Sequence, residues 1–264
     1  MKRYSILFLS FLLLTSGTLG ERKVKPTIWL IGDSTMKNGT GKGAGGLWGW
    51  GDYFYRQFDT MKISIKNCAL GGRSSRTFIT QELWEKVLAK VNRGDYIIIQ
   101  FGHNDRSPVN DSTRARGTIK GTGNETEEID NILTKKHETV HTYGWYMRKY
   151  IADSKAKGAI PIVCSLTPRN IWEKGKVVRS SEDYAKWAEE AATNEKAFYI
   201  NLNEIIAGKY EAIGEETVRI KFFLITDHTH TTEAGAILNA ESVAEGIKSL
   251  KSCKLKKYLL KKPS

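Results

Sequence analysis

The chain of 264 residues has few cysteines, only Cys68, Cys164 and Cys253. An odd number of cysteines does not make a disulfide framework, and none has the C-x-x-C spacing of a metal or redox motif. Cys68 and Cys164 fall in or next to short apolar runs, so we predict that they are small buried residues. The composition, 40% hydrophobic and 27% charged, is that of a globular protein with enough apolar residues for a full core.

Long apolar runs are also lacking after the first twenty residues. Lys2 and Arg3 precede an apolar run over 6–14, followed by small and polar residues up to Gly20. This layout is typical of a secretory signal peptide, and the run is short for a membrane span. We predict a signal peptide over residues 1–20, a mature domain over 21–264, and a secreted or periplasmic protein without stable membrane insertion. An uncleaved N-terminal anchor is the alternative.

Acidic residues are outnumbered, 29 against 41 basic residues, and the formal net charge is +12. Loss of Lys2 and Arg3 with the signal peptide would leave about +10, since 12 − 2 = 10. The basic residues are scattered and belong to no nucleic-acid-binding module, so no nucleic-acid partner is expected. An acidic polysaccharide is one partner that suits this charge. Solubility and a basic C-terminal tail are the simpler explanation.

Short apolar runs alternate with amphipathic stretches along the chain, with neither an internal repeat nor a linker. This alternation predicts a single α/β domain with a parallel sheet covered by helices on both faces. The predicted strands are Thr27–Ile31, Ile63–Lys66, Asp95–Phe101, Ala159–Ser165 and Ala197–Asn201. The predicted helices are Gly51–Phe58, Gln81–Val91, Tyr143–Lys157, Ser181–Thr193 and Thr232–Leu250.

Polar residues follow the predicted strands at the edge where such sheets bind ligands. Ser34 follows the first strand, Gly72 the second and Asn104 the third, and Asp227 and His230 precede the last helix. Ester hydrolysis through serine needs a nucleophile, a base, a group that orients the base, and oxyanion donors. Ser34 suits the first role and His230 the second. One helical turn would bring the Asp227 carboxylate to the imidazole.

Two histidines other than His230 are alternative bases. His103 neighbours Asn104, and its ring can point elsewhere along the strand end. His228 follows Asp227 directly, which leaves the carboxylate less room to fold back onto the ring.

Two other motifs suggest different chemistry. His137-Glu138-Thr139-Val140-His141 matches the zinc-protease pattern H-E-x-x-H, in which a helix presents both histidines on one face. It lies near the start of a predicted helix and lacks a third ligand nearby, so we expect a polar helix start without metal. The stretch 41–46 fits G-x-G-x-x-G, but 32–40 separate it from the first strand. We therefore expect a flexible lip of the cleft rather than a dinucleotide site.

The four blocks GDSTM, GGRS, GHND and DHTH, in this order, resemble the SGNH (GDSL-type) hydrolases. The resemblance is closest to the rhamnogalacturonan acetylesterase branch, supported by the stretches 48–51, 73–78 and 165–170, and it covers about residues 27–250. It implies a three-layer α/β/α sandwich with a five-stranded parallel sheet in the flavodoxin-like order 2-1-3-4-5. The implied triad is Ser34, Asp227 and His230, and the implied oxyanion donors are the Ser34 and Gly72 N–H groups and the Asn104 amide.

The same resemblance implies an acetylated pectic polysaccharide, rhamnogalacturonan, as substrate, and a triad that needs no cofactor or metal. An esterase acting on xylan, another glycan or a small lipid or aryl ester would use the same triad, and a non-catalytic carbohydrate-binding protein is the remaining alternative. Arg73, Arg76 and Arg169 are candidate uronate contacts, and Trp172 is a candidate for stacking on a sugar. Segment 106–136 is longer than a simple connection, and its role stays open.

Overall fold

The computed structural model describes residues 25–38 and 43–261. The predicted signal peptide over residues 1–20 lies outside these residues, as do the first two residues of the glycine-rich stretch 41–46. Within the described part of the chain, no helix is long and apolar enough to cross a membrane.

Over residues 25–38 and 43–261, eleven strands form one large sheet and three small ones. In chain order they are β1 (Thr27–Gly32), β2 (Ser64–Asn67), β3 (Tyr96–Gln100), β4 (Thr126–Asp130), β5 (His137–His141), β6 (Ile160–Cys164), β7 (Trp172–Glu173), β8 (Lys176–Val177), β9 (Phe198–Ile200), β10 (Phe223–Leu224) and β11 (Asp227–Thr231). The large sheet is parallel, with five strands in the order β2-β1-β3-β6-β9. The flavodoxin-like order expected from the resemblance is confirmed.

Helices cover both faces of this sheet. They are α1 (Ser75–Thr80), α2 (Leu83–Leu88), α3 (Tyr143–Ala156), α4 (Tyr184–Asn194), α5 (Leu202–Ile213), α6 (Glu215–Phe222) and α7 (Glu233–Ser249). Successive side chains of β1 point to opposite faces, as in any strand. Ile28 and Leu30 enter the apolar core with α5, α6 and α7, whereas Trp29 and Ile31 enter the core with α1 to α4. The molecule is therefore a three-layer α/β/α sandwich.

Two predicted helices differ from the structure. Over Gly51–Phe58 the chain forms two short 3₁₀ turns, Trp50–Asp52 and Phe54–Gln57. The N–H groups of Trp50 and Gly51 donate to carbonyls of the turn after β1, so the segment follows that turn instead of winding into a regular helix. Over Gln81–Val91 only the six residues of α2 are helical.

The H-E-x-x-H stretch forms β5 rather than the start of a helix, paired antiparallel with β4. Four residues along a strand separate His137 and His141 by about 13 Å, which is too far for one zinc ion. His137 instead lies near Glu128 and Asp130, and the His141 ring stacks on Trp145 with 3.7 Å between the ring centroids. The metalloprotease hypothesis is wrong for this geometry.

Candidate active site

Ser34 lies in a tight turn at the carboxyl end of β1. The N–H groups of Met36 and Lys37 both donate to the carbonyl of Asp33, at 3.2 Å, which closes the turn around the serine. The Ser34 side chain is partly exposed, whereas those of Asp33, Thr35 and Met36 are buried. The turn therefore presents the serine hydroxyl at the edge of the sheet.

A buried polar network supports this turn from below. The Asp33 carboxylate accepts hydrogen bonds from the N–H and hydroxyl of Thr35, at 2.9 and 2.8 Å. The Gln100 side-chain amide donates to the Thr35 hydroxyl, and the Gln100 carbonyl accepts from the indole of Trp50 at 2.7 Å. Burial raises the pKa of Asp33 above its usual range. Asp33, Thr35, Gln100 and Trp50 are thus joined by consecutive hydrogen bonds, which hold the turn that carries Ser34.

Ser34, His230 and Asp227 form a hydrogen-bonded chain. Ser34 Oγ lies 2.8 Å from His230 Nε2, and His230 Nδ1 lies 2.7 Å from Asp227 Oδ2. Asp227 and His230 are not on a helical turn, as the sequence suggested, but on β11. Asp227 Oδ1 accepts the backbone N–H groups of Thr229 and His230, a side-chain turn that brings the carboxylate back to the imidazole without a helix. These hydrogen bonds hold the pKa of Asp227 below its usual range despite partial burial.

Neighbouring segments hold β11 in place. Trp48 donates its N–H to the Thr231 carbonyl, and the Thr231 hydroxyl donates to the Trp48 carbonyl at 2.9 Å. Asn170, in the loop after β6, donates its N–H to the His228 carbonyl at 2.8 Å. The His228 side chain is exposed and its Nδ1 lies 2.9 Å from the Thr229 hydroxyl, whereas His230 is the histidine bonded to the serine.

The glycine block after β2 lies directly beside Ser34. A β-carbon on Gly71 would lie 3.7 Å from Ser34 Cβ, and Gly72 has a φ of 77°, a conformation that favours glycine. The loop after β3 meets this block, because the Asn104 side-chain amide donates to the Arg73 carbonyl at 2.8 Å. The structure thus brings together the sequence elements expected to supply the oxyanion donors.

Asp105 ties the same two loops together below the surface. Its buried carboxylate accepts from the N–H and hydroxyl of Ser75, at the start of α1, and from the N–H of Gly102 at 3.0 Å. Burial raises the pKa of Asp105 to about 7. Its place directly after Asn104, at a strand end, is the one signal in the sequence that points to this residue.

His103 faces the other side of the strand edge. With Thr167 and Arg169 it lines a cavity of about 100 Å³, and its Nε2 lies 3.3 Å from the Thr167 hydroxyl. Burial and the nearby Arg169 and Arg106 charges lower the pKa of His103 to about 3. This imidazole is therefore neutral over most of the pH range, and the hydrogen bond to Ser34 belongs to His230.

Arg76 does not reach the surface, so its predicted role as a substrate contact is wrong. Its side chain has no exposed area, and Nε pairs with Glu138 at 3.0 Å. Nη1 donates to the carbonyls of Val109 and Gly117, both at 2.8 Å. The residue type suggested a surface cation, but the helix α1 turns this side chain inward beneath the long segment.

The other candidate contacts, Arg73, Arg169 and Trp172, follow the strands β2 and β6 of the large sheet. Arg73 and Arg169 are partly exposed, and both remain available to a substrate. Trp172 lies on β7, partly buried against the core, with its indole N–H donating to Asn170 Oδ1 at 2.8 Å. Its stacking on a sugar stays a prediction.

A partly exposed serine hydrogen-bonded to a histidine, which is in turn hydrogen-bonded to an aspartate, at the carboxyl edge of a doubly wound sheet, is an arrangement of serine hydrolases. Residues 30–236 match the model of the GDSL-like lipase/acylhydrolase family. The chain belongs to that family and is an ester hydrolase.

Its relatives include acetylesterases. It is 32% identical to the rhamnogalacturonan acetylesterase of Emericella nidulans, over 89% of each chain. It is 31% identical to the probable rhamnogalacturonan acetylesterase YesY of Bacillus subtilis, over 84% of this chain and 93% of that protein. The crystal structure of B. subtilis YxiM has the same fold, with a TM-score of 0.68 and 24% identity over 85% of this chain. The present chain spans 56% of the YxiM structure.

Proposed function

We propose that the protein is an exported carbohydrate esterase that removes acetyl groups from rhamnogalacturonan, with Ser34 as nucleophile. The observation that carries the mechanism is the chain of short contacts from Ser34 Oγ through His230 to Asp227. The names of the two acetylesterase relatives support the acyl group and the polysaccharide. Export rests on the signal-peptide pattern of residues 1–20 and leaves 21–264 as one mature esterase domain.

The first half-reaction forms an acetyl-enzyme. His230 Nε2 takes the proton of Ser34 Oγ as the oxygen bonds to the acetyl carbonyl carbon. The Asp227 carboxylate fixes the imidazole tautomer and stabilises the imidazolium. The tetrahedral intermediate then collapses, the bond between the carbonyl carbon and the sugar oxygen breaks, and His230 gives its proton to the departing sugar alcohol.

In the second half-reaction, water replaces the sugar. His230 takes a proton from a water molecule as the water oxygen bonds to the carbonyl carbon, and collapse of this intermediate releases acetate and returns the proton to Ser34 Oγ. Both steps use only side chains, backbone N–H groups and water, so we expect acetate release to be unchanged by a metal chelator.

The oxyanion of each intermediate is bound by the N–H groups of Ser34 and Gly72 and by the Asn104 amide. Arg73 supports the Gly72 donor, because its Nη1 donates to the Gly71 carbonyl at 2.8 Å. In a trans peptide the C=O and N–H bonds point in opposite directions, so a cation that holds the Gly71 oxygen fixes and polarises the Gly72 N–H. Loss of one oxyanion donor typically lowers turnover by about 10²–10³-fold.

Acetate release from three substrates tests this function: acetylated rhamnogalacturonan, acetylated xylan and an aryl acetate. We expect the highest kcat/KM on rhamnogalacturonan, and Ser34→Ala should lose activity on all three while its thermal midpoint stays close to that of the parent. Release of acetate by Ser34→Ala at the rate of the parent would refute the mechanism. Preference for xylan or the aryl ester would keep the mechanism and reject the polysaccharide.

A further inference from the structure

A strongly basic depression lies next to the proposed oxyanion donor Gly72. It has a volume of about 260 Å³, and we call it the basic groove. Eight residues line it, among them Gly72, Arg73, Gln81, Arg114, Arg116 and Leu133. Three of the eight are arginines and none is acidic, so an anion would enter it without meeting a carboxylate of the lining.

The three arginines of the groove lack acidic partners among the described residues, where no carboxylate lies within 4.0 Å of Arg73, Arg114 or Arg116. Arg73 donates to the Gly71 carbonyl and to Gln81, and Arg116 donates to the Gly72 carbonyl and to the Ser107 hydroxyl. These acceptors are neutral and engage Nε and Nη1, which leaves Nη2 of both guanidinium groups for a ligand. Arginines elsewhere, such as Arg76, Arg106 and Arg179, pair with carboxylates.

The loop that carries Arg114 and Arg116 is held in shape by hydrogen bonds from its own backbone to one carboxylate. Asp111 Oδ1 accepts the N–H groups of residues 113, 114 and 115, and these bonds lower the pKa of Asp111 to about 2. Ala115 is buried between the two arginines. Below the loop, Arg76 holds the carbonyl of Gly117. The guanidinium groups are thus presented by an ordered loop, which reduces the entropy lost when a ligand binds.

We propose that the basic groove binds the carboxylate of a uronic acid residue of the acetylated glycan. This inference rests on the proposed function and identifies the part of the glycan that the enzyme recognises. Hydrogen bonds from an arginine to a carboxylate are short and strong because both groups are charged, and Nη2 of Arg73 and Nη2 of Arg116 are each left to donate one. A cavity of about 260 Å³ is slightly smaller than the pockets of about 300–1,000 Å³ that take drug-sized ligands, which suits one sugar residue.

The groove also gives segment 106–136 a function. Arg114, Arg116 and Leu133 all come from this segment, whereas Gly72 and Arg73 come from the glycine block beside Ser34. The segment therefore forms one wall of a subsite, and the glycine block forms the other wall. A carboxylate bound there lies beside the peptide groups that Arg73 and Arg116 hold.

Calorimetric titration of the full protein with trigalacturonic acid, and with its methyl ester as the uncharged match, tests the proposal. We expect the free acid to bind at least about tenfold more tightly than the ester, with an affinity that falls as salt is added. Arg114→Gln should weaken binding of the acid by about tenfold and leave that of the ester unchanged, because the exposed Arg114 side chain would lose an ionic contact. Arg116→Lys, which keeps the charge, should have a smaller effect.

Arg93→Gln is the matched control, because Arg93 precedes β3 at the opposite edge of the sheet and is also exposed. It should bind both ligands like the parent protein. Equal binding of acid and ester by the parent, or equal losses in Arg93→Gln and Arg114→Gln, would overturn the proposal. The titration needs no turnover, so a failure of the groove and a failure of the proposed rhamnogalacturonan activity give separate results.

Discussion

At the scale of single residues, the turn after β1 shows how burial of the neighbouring side chains leaves Ser34, the proposed nucleophile, exposed. Ser34 reaches the surface because the side chains on both sides of it are buried. Its hydroxyl then meets His230, which is oriented by a carboxylate that also closes its own backbone turn. Asp227 therefore has two roles, one through each oxygen, and they can be separated.

Asp227→Asn should separate them. The amide oxygen can still accept the N–H groups of Thr229 and His230, so the turn should persist. The amide cannot hold the imidazole as a carboxylate does, and we expect kcat/KM on an aryl acetate to fall by about 10³–10⁴-fold. Steady-state kinetics measures the loss, and an unchanged circular dichroism spectrum serves as the folding control. A variant within tenfold of the parent would contradict the role of Asp227.

Gln100→Leu should weaken the support of the nucleophile turn. It removes the acceptor of the buried Trp50 indole N–H, whereas the Thr35 hydroxyl keeps Asp33 as its acceptor. We expect a loss of about 1–3 kcal/mol in the free energy of unfolding, the usual cost of a buried donor without a partner. Urea unfolding measures it. Thr35→Val removes the acceptor of the buried Gln100 amide and should cost a similar amount, and two variants as stable as the parent would argue against the network.

The residues that the sequence could predict are those defined by strand ends. Ser34, Asn104 and the pair Asp227 and His230 follow or precede recognisable elements, and the structure brings the triad together. Arg76 was misassigned because a side-chain type does not tell which way it points on a short helix.

At the scale of elements, the strands of the large sheet were predictable because they are buried on both faces. All five residues of β3 are buried, which produces the apolar run in the sequence. The hairpin β4–β5 was not predictable, since Ile129 and Val140 are the one buried residue of each strand. Its strands are polar and form only by pairing with each other and with Arg76 below, a contact between residues far apart in sequence.

Arg76→Met should therefore loosen the hairpin and the long segment together. It leaves Glu138 largely buried without its cation and frees two buried carbonyls. We expect the free energy of unfolding to fall by about 3–5 kcal/mol, as for other broken buried ion pairs. Urea unfolding, with hydrogen exchange of residues 106–141, measures the change. Arg93→Met is the exposed control, and a comparable loss in both variants would refute the structural role of Arg76.

At the scale of the whole molecule, two buried groups beside the active site make stability depend on pH in opposite directions. Asp105, with a pKa raised to about 7, keeps a proton in the folded state that the unfolded chain has lost, so its contribution to stability falls as pH rises from about 4 to 7. His103, with a pKa lowered to about 3, stays neutral in the folded state at pH values where the imidazole of the unfolded chain is protonated. Its contribution to the free energy of unfolding therefore falls as pH drops below about 6.5.

His103→Gln should reveal the second effect. Glutamine does not titrate in this range, so the variant lacks the loss of stability that His103 causes at low pH. Its free energy of unfolding relative to that of the parent should improve by about 1 kcal/mol per pH unit as pH falls from 6 to 4. Urea unfolding at pH 4, 5, 6 and 7.5 measures the difference, and the value at pH 7.5 gives the cost of the lost packing. A difference independent of pH would show that His103 titrates alike in the folded and unfolded states.

The buried cation below the long segment has a consequence for protein engineering. Arg76 belongs to α1, whereas the carbonyls that it holds belong to the segment 106–136. Grafting that segment alone onto another esterase would move Arg114 and Arg116 without the anchor that shapes their loop. To transfer the proposed binding of carboxylates to another esterase, Arg76 and Glu138 would therefore have to be transferred with the loop.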